Sequence, residues 1–236
     1  MNSLKGKFLV TGTSSGIGRA IAEALLNAGH AVVGVARRAD EVTGFEYYHP
    51  APLDLADLEK LPQALEALMK THADLNGAVF CAGAGRFGSL EEFSYAQIQA
   101  LIDLNLTAQV FLARAVLPVL KRHGRGDLIF IGSEAALAGG KRGAIYSATK
   151  FALRGLAQAL RQECAARNVR VCIVNPGMVK TRFFDELDFT HGDEPENYII
   201  PSDVAAAVLD VLEMRGETVI DEINLSPLKK VIQPKK

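Results

Sequence analysis

Cysteine is scarce in this chain of 236 residues, and the three present, Cys81, Cys164 and Cys172, stand far apart with no metal-ligand spacing and no even-numbered framework. That excludes a disulfide-stapled secreted scaffold and leaves three reduced thiols, in a protein expected in the cytoplasm. Basic residues are not in excess either: 26 Lys and Arg against 27 Asp and Glu give a formal net charge of −1. Without a basic footprint, no nucleic-acid partner is expected. No apolar run of about eighteen residues is evident, so no membrane partner is expected. The opening MNSLKGKFLVTG passes straight into a strand-like run and a glycine turn, so no signal peptide is expected. Linkers, low-complexity runs and internal repeats are also missing, so 1–236 is read as one domain.

The chain alternates short apolar runs with helix-period stretches. Phe8-Leu9-Val10 reads as a strand and is followed by TGTSSGIGRA, a glycine-rich turn leading into an amphipathic helix over 19–28. Gly12, Gly16 and Gly18, with Ser14, Ser15 and Ile17 between them, suit a turn whose backbone N–H groups and helix N-terminus approach a pyrophosphate. A second strand over 31–36 ends in Ala36 and runs into Arg37-Arg38, with no acid before Asp40. At that place an acid binds a ribose 2′-hydroxyl and an arginine accommodates a 2′-phosphate. NADP is therefore the expected cofactor, and NAD the alternative. A loop and short strand over 45–53 end in Asp54-Leu55. A helix is expected over 57–70, and a fourth strand over 76–81 leads into the small residues Ala82-Gly83-Ala84-Gly85.

One long helix is expected over 95–123, with a broad apolar face of Ile98, Leu101, Ile102, Val110, Phe111, Val116, Leu117 and Leu120. Asn105 in its middle is either a surface residue or the holder of a local bend. A strand over 128–131 leads to Ser133. A helix over 146–167 is expected to carry Phe151, Leu156 and Leu160 inward. A sixth strand over 169–174 ends in Asn175-Pro176-Gly177. The irregular stretch 183–200 reads as a mobile lid or substrate loop. A helix from Pro201 to Met214, a last strand over 219–223 and a frayed polar tail complete the chain. The pattern predicts an α/β fold, a single-domain doubly wound, Rossmann-type sheet, mostly parallel, with helices on both faces. Gly12, Arg37, Gly83, Ser133 and Pro176 all follow strands, where such folds bind ligands.

Tyr146 and Lys150 sit four apart, one above the other on a helix face. A cation beside a phenol favours the phenolate, so the spacing predicts a Tyr146 pKa drawn down toward neutrality and a tyrosine able to give or take a proton. Ser133, at the mouth of its strand, is placed to face that phenol.

These residues together resemble the short-chain dehydrogenase/reductase family over nearly the whole chain. Thr11-Gly12-x-x-x-Gly16-Ile17-Gly18 matches its cofactor turn. Asn105, Ser133, Tyr146 and Lys150 stand where its catalytic tetrad stands. Asp54 matches the acid that meets the adenine, and Asn175-Pro176-Gly177 with Val179 and Thr181 matches its nicotinamide-side motif. The chain departs from the family in having Phe80-Cys81-Ala82-Gly83 after the fourth strand and Gly132 before Ser133. The resemblance implies hydride transfer between a nicotinamide and a small-molecule carbonyl or alcohol. Tyr146 is then the general acid/base, and Lys150 holds the nicotinamide ribose and depresses the Tyr146 pKa. Ser133 orients the carbonyl oxygen, and Asn105 bends its helix to hold a relay water. Val179 and Thr181 fix the carboxamide. Leu137, Phe87, Phe183 and Phe184 are candidate substrate walls, and Arg86, Lys141 and Arg142 candidate anchors for a substrate carboxylate, as in an NAD(H)-dependent hydroxy-acid dehydrogenase. A homo-oligomer, tetramer or dimer, is expected through the helices 95–123 and 146–167. The other classes weighed are a non-catalytic dinucleotide-binding regulator and a nucleotide-sugar epimerase or dehydratase.

Overall fold

The computed structural model describes residues 5–39 and 42–235, so Asp40 and the opening MNSL lie outside the described residues. Seven parallel strands form one sheet: β1 (Lys7–Thr11), β2 (Ala31–Ala36), β3 (Tyr48–Pro52), β4 (Gly77–Phe80), β5 (Gly126–Ile131), β6 (Val169–Pro176) and β8 (Glu222–Leu225). Their order across the sheet is β3-β2-β1-β4-β5-β6-β8. The order reverses between β1 and β4, which opens a crevice at the C-terminal strand ends. β2, β5 and β6 are buried along their whole length, as strands covered on both faces must be.

Successive side chains face opposite ways, so the strands feed two cores. Leu9, Phe80, Leu128, Phe130 and Ile173 meet α2 (Leu61–Thr71), α4 (Ala108–His123) and α5 (Ala144–Cys164). Phe8, Val10, Val79, Ile129 and Val174 meet α1 (Gly16–Asn27) and α6 (Pro201–Glu213) on the other face. Each such side chain, fully withdrawn from water, contributes about 1.5–3 kcal/mol. At the far end of the sheet Asp127 and Arg170 are register partners joined at 2.6 Å, and Arg170 also donates to the Leu212 and Met214 carbonyls at the end of α6.

Several expectations change. The long helix is not uniform: α3 (Tyr95–Ile102) and α4 are separated by a π turn, Asp103–Thr107, of the wider winding that bends a helix. Val110 is exposed, because the buried stripe runs through Ala108, Leu112, Val116 and Leu120 instead. The run Tyr95–His123 is also long and apolar enough by composition to cross a bilayer, contrary to the reading that nothing here is; 44% of that window is buried in this fold. On α5 the inward residues are Leu153, Ala157 and Leu160, while Phe151 faces out at 44% exposure and Leu156 is only partly buried. That helix opens at Ala144, two residues before Tyr146.

The last parallel strand lies three residues later than expected, since Glu222 and Asn224 bond the Asn175 side chain on β6. The tail is not frayed among the described residues. Its β9 (Ile232–Pro234) pairs antiparallel with β7 (Phe189–His191), inside the stretch read as a lid. That stretch holds further short turns at Arg182–Phe184 and Pro195–Asn197. Lys229 anchors the tail again, pairing with Glu196 at 2.7 Å.

Candidate active site

The crevice opens into a cleft of about 860 Å³ whose walls come from the ends of β1 to β6. Gly12 and Gly16 adopt positive φ, 77° and 57°, which side chains tolerate poorly. Gly18 is required for a different reason: a Cβ there would fall 2.4 Å from the Gly12 carbonyl oxygen. The turn therefore packs tightly back onto β1 and delivers the start of α1 to the cleft. Ser15, the N-cap of α1, places no side-chain cap on the first turn, so its N–H groups and the helix dipole are available to an anion. Thr11 Oγ1 accepts from Cys81 N at 2.9 Å and Ala82 N at 3.0 Å, tying the ends of β1 and β4 across the reversal point.

Gly12, Ser14, Ser15, Gly16, Ile17, Gly18, Arg37, Asp54, Leu55, Ala82 and Gly83 all line this cleft. Pro176, Gly177, Val179 and Thr181 line its other flank. This constellation fits a dinucleotide: an uncapped helix start behind a backbone cradle, an arginine at the end of β2 and an acid after β3. Arg37 is exposed and has no ion pair among the described residues. Two expected residues are not in the cleft wall. Arg38 is exposed beside it, because successive residues leaving β2 point apart. Asn105 lies behind the wall.

Asn105 is buried, in the π turn, and clamps the loop after β4. Its Oδ1 accepts from Ala84 N and its Nδ2 donates to Ala84 O, both at 2.9 Å. Nδ2 also reaches Thr149 Oγ1 at 3.4 Å, and Thr149 donates to the Tyr146 carbonyl at 2.7 Å. The asparagine thus joins the cofactor-side loop to the helix that carries Tyr146. Gln109, one helical turn later, donates to Ala82 O at 3.0 Å and holds the same loop.

Ser133, Tyr146 and Lys150 converge in the cleft. Ser133 N is held at 3.3 Å by Asn175 Oδ1, and a Cβ at Gly132 would lie 2.1 Å from that same oxygen, so glycine is the residue that leaves Asn175 room. The Ser133 hydroxyl is near enough to the Tyr146 phenol to favour its ionised form. Lys150 is 7% exposed, donates to the Ile131 carbonyl at 3.1 Å, and stands 5.7 Å from the Tyr146 ring centre.

The charge states reverse the expectation drawn from spacing. Burial pushes the Tyr146 phenol up to about 12, with the nearby Ser133 hydroxyl opposing the rise and the Glu134 carboxylate adding to it. Burial pulls Lys150 down to about 8. Desolvation penalises both charged forms, and the ammonium is turned onto a carbonyl rather than onto the phenol oxygen. Tyr146 is accordingly a neutral O–H donor at neutral pH. Cys81, also in the wall, is pushed up to about 12 by burial and is inert as a thiolate.

Phe87, Phe183 and Phe184 line the cleft as expected, and Leu137 does not. Phe189 joins them, brought in by the β7–β9 ribbon. Arg142 and Lys141 line it too, but Arg142 is paired with Asp188 at 2.8 Å. Arg86 faces a neighbouring hollow of about 340 Å³ instead. Gln109, Thr149, Phe189 and the tail were not anticipated, and neither were the tying roles of Thr11 and of the Asn175 side chain, two residues placed only as members of cofactor motifs. Thr11 and Asn175, at the ends of β1 and β6, carried a sequence signal in those motifs, and the others carried none.

Residues 7–191 match the family model described as short chain dehydrogenase. An uncharacterized oxidoreductase of Staphylococcus aureus (strain MRSA252) is 29% identical over 226 residues, covering 93% of this chain and 96% of its own. A short-chain dehydrogenase from Streptomyces avermitilis superposes with a TM-score of 0.83 at 28% identity, over 95% of this chain and 89% of that one. An alcohol dehydrogenase from the archaeon Thermococcus sibiricus, complexed with 5-hydroxy-NADP, superposes at 0.82 with 29% identity, over 98% of this chain and 99% of that one.

Proposed function

From a chain that belongs to the short-chain dehydrogenase family and is an oxidoreductase, we propose an enzyme that moves a hydride between NADP(H) and a carbonyl or secondary alcohol, with Tyr146 as general acid and base. The observation that carries this reading is the buried, neutral Tyr146 phenol sharing one cleft with Ser133, which follows the C-terminal mouth of β5, and with buried Lys150. The nicotinamide cofactor supplies the hydride chemistry when bound. Ser133 orients the substrate oxygen, and Tyr146 gives it a proton in reduction or takes one in oxidation. Lys150 would hold the nicotinamide ribose hydroxyls, and its ammonium, buried beside the Tyr146 ring, would ease proton transfer there. Asn105 holds the geometry through Ala84 and Thr149 and positions a relay water beside Lys150. Val179 and Thr181 hold the carboxamide, and Asp54 with Leu55 holds the adenine.

NADP is assigned over NAD because Ala36 cannot bind a ribose 2′-hydroxyl as an acid would, while Arg37 offers a planar, permanent cation to a 2′-phosphate. The Thermococcus relative, solved with an NADP derivative, supports the same choice. The chain is further read as one domain, cytoplasmic, and a homo-oligomer without nucleic-acid or membrane partners. Exposed Tyr95, Val110 and Phe151 on α3, α4 and α5 are the apolar surface that supports the oligomer.

The test is loss or gain of NAD(P)H absorbance over a panel of carbonyls and alcohols, in both directions, with both cofactors. Turnover that disappears in Tyr146→Phe supports the reading. A wild-type protein that binds dinucleotide yet turns over no carbonyl or alcohol supports the non-catalytic regulator instead.

A further inference from the structure

We infer that the substrate is an uncharged carbonyl compound bearing an aromatic or similarly bulky apolar group, received in a box of four phenylalanines built against Tyr146. The inference rests on the proposed hydride transfer and adds the substrate class to it. The rings come from separate stretches: Phe87 from the loop after β4, Phe183 and Phe184 from the turn after β6, and Phe189 from β7. Phe87 lies 5.2 Å and Phe183 6.0 Å from the Tyr146 ring. Phe189 meets Phe87 edge-on at 5.0 Å, Phe184 meets Phe183 at 5.3 Å, and Phe184 and Phe189 close the circuit at 6.0 Å.

The sequence makes room for these rings. A Cβ at Gly85 would fall 2.1 Å from Phe183 Cζ, so the Phe183 ring occupies the space that only glycine leaves there. A Cβ at Gly143 would lie 3.3 Å from Phe87. Phe189 is fixed by backbone pairing, because it stands opposite Pro234 in the β7–β9 ribbon, and Ile232 of that ribbon joins the cleft wall. The box is therefore held by the C-terminal tail as well as by its own loop.

Charge at the box is largely spent. Arg142 is paired with Asp188 at 2.8 Å, and Glu134, next to Ser133, is paired with Lys230 of the tail at 2.8 Å. A substrate carboxylate placed among the rings would lose its hydration without a matching partner, whereas an aromatic group gains both burial and edge-to-face contacts. Besides Arg37 and Lys150, which the dinucleotide would take, Lys141 and Arg182 are wall cations without an ion pair among the described residues, so a keto acid is the competing ligand.

In reduction the hydride goes from the nicotinamide of NADPH to the carbonyl carbon and the proton from Tyr146 to the oxygen, leaving the alcohol and NADP⁺. The test compares kcat/KM with NADPH for benzylacetone, for the keto acid in which a carboxylate replaces its methyl group, and for butanone, which lacks the ring. Benzylacetone is expected to exceed each of the others by about tenfold or more. Phe189→Ala lowers the benzylacetone value about tenfold through KM and leaves butanone within about threefold. Phe189→Leu gives an intermediate loss, and serves alone if the alanine variant does not fold. Unchanged dinucleotide affinity shows that each variant used is folded. Preference for the keto acid, equal rates on butanone, or variants that leave the ratio unaltered overturn the inference while hydride transfer stands. If none of the three is reduced, calorimetric titration of benzylacetone into the protein with NADP⁺ decides. Binding that is weakened in the Phe189 variants supports the box, and no binding, or equal binding, overturns it.

Discussion

Lys150→Met separates what the buried lysine does for the fold from what it does for the chemistry. Methionine keeps the length and apolar stem and deletes the charge. Lys150 falls from 10.5 to about 8 on burial, and at about 1.4 kcal/mol per pH unit that is roughly 3 kcal/mol of cost when the ammonium is charged. The lost hydrogen bond to the Ile131 carbonyl offsets about 1 kcal/mol of the relief. Without cofactor, the variant is expected to be more stable than wild type by roughly 2 kcal/mol near neutral pH, a rise in Tm of about 4–8 °C for a chain of this size. The sign follows from linkage. The folded pKa lies below the unfolded one, so between about 8 and 10.5 the unfolded state binds more protons, and wild-type stability climbs with pH through that window. The variant has no such climb, so its advantage is complete below about pH 8 and fades above it. Urea denaturation of both proteins at a series of pH values reads this directly. A variant no more stable than wild type at neutral pH, or a difference that does not change with pH, refutes the reasoning. The same variant is expected to lose most activity and bind dinucleotide more weakly, since perturbed buried groups of this kind trade stability for function.

Tyr146→Phe is expected to cut kcat by about 10²–10⁴-fold, with dinucleotide affinity measured by fluorescence titration nearly unchanged; more than a tenth of wild-type rate would contradict the acid–base role. Arg37→Ala is expected to erase a preference for NADPH over NADH of about ten- to a hundredfold, the size one charge-assisted hydrogen bond supports. A wild type that prefers NADH, or a ratio indifferent to the change, sinks that assignment. Asn105→Ala removes two hydrogen bonds to the backbone of Ala84, a residue open to solvent, and is expected to cost about 1–3 kcal/mol in chemical denaturation. Light scattering at micromolar concentration is expected to give a closed oligomer, and a polar substitution at exposed Phe151 to weaken it; a monomeric wild type rules it out.

Much of this molecule is written in local pattern. Apolar runs that lie between two helix layers must be central parallel strands, and the residues just after them must lie at one edge of the sheet. That is why Gly12, Arg37, Gly83, Ser133 and Pro176 could be placed together from order alone. The four-residue spacing of Tyr146 and Lys150 likewise fixes their common helix face. What tertiary structure decided is what depends on segments distant along the chain. The direction of the Tyr146 and Lys150 pKa values is set by burial beneath Ile131, Phe87 and Phe183, which no spacing encodes. The inward turn of Asn105 needs the Ala84 backbone as its partner, 21 residues away. The tail looks polar and featureless until β7 offers it an unpaired strand edge, and a strand edge exists only once the chain has folded. Hydrophobic period is a property of neighbours, whereas dielectric surroundings and strand pairing are properties of whatever the fold brings alongside.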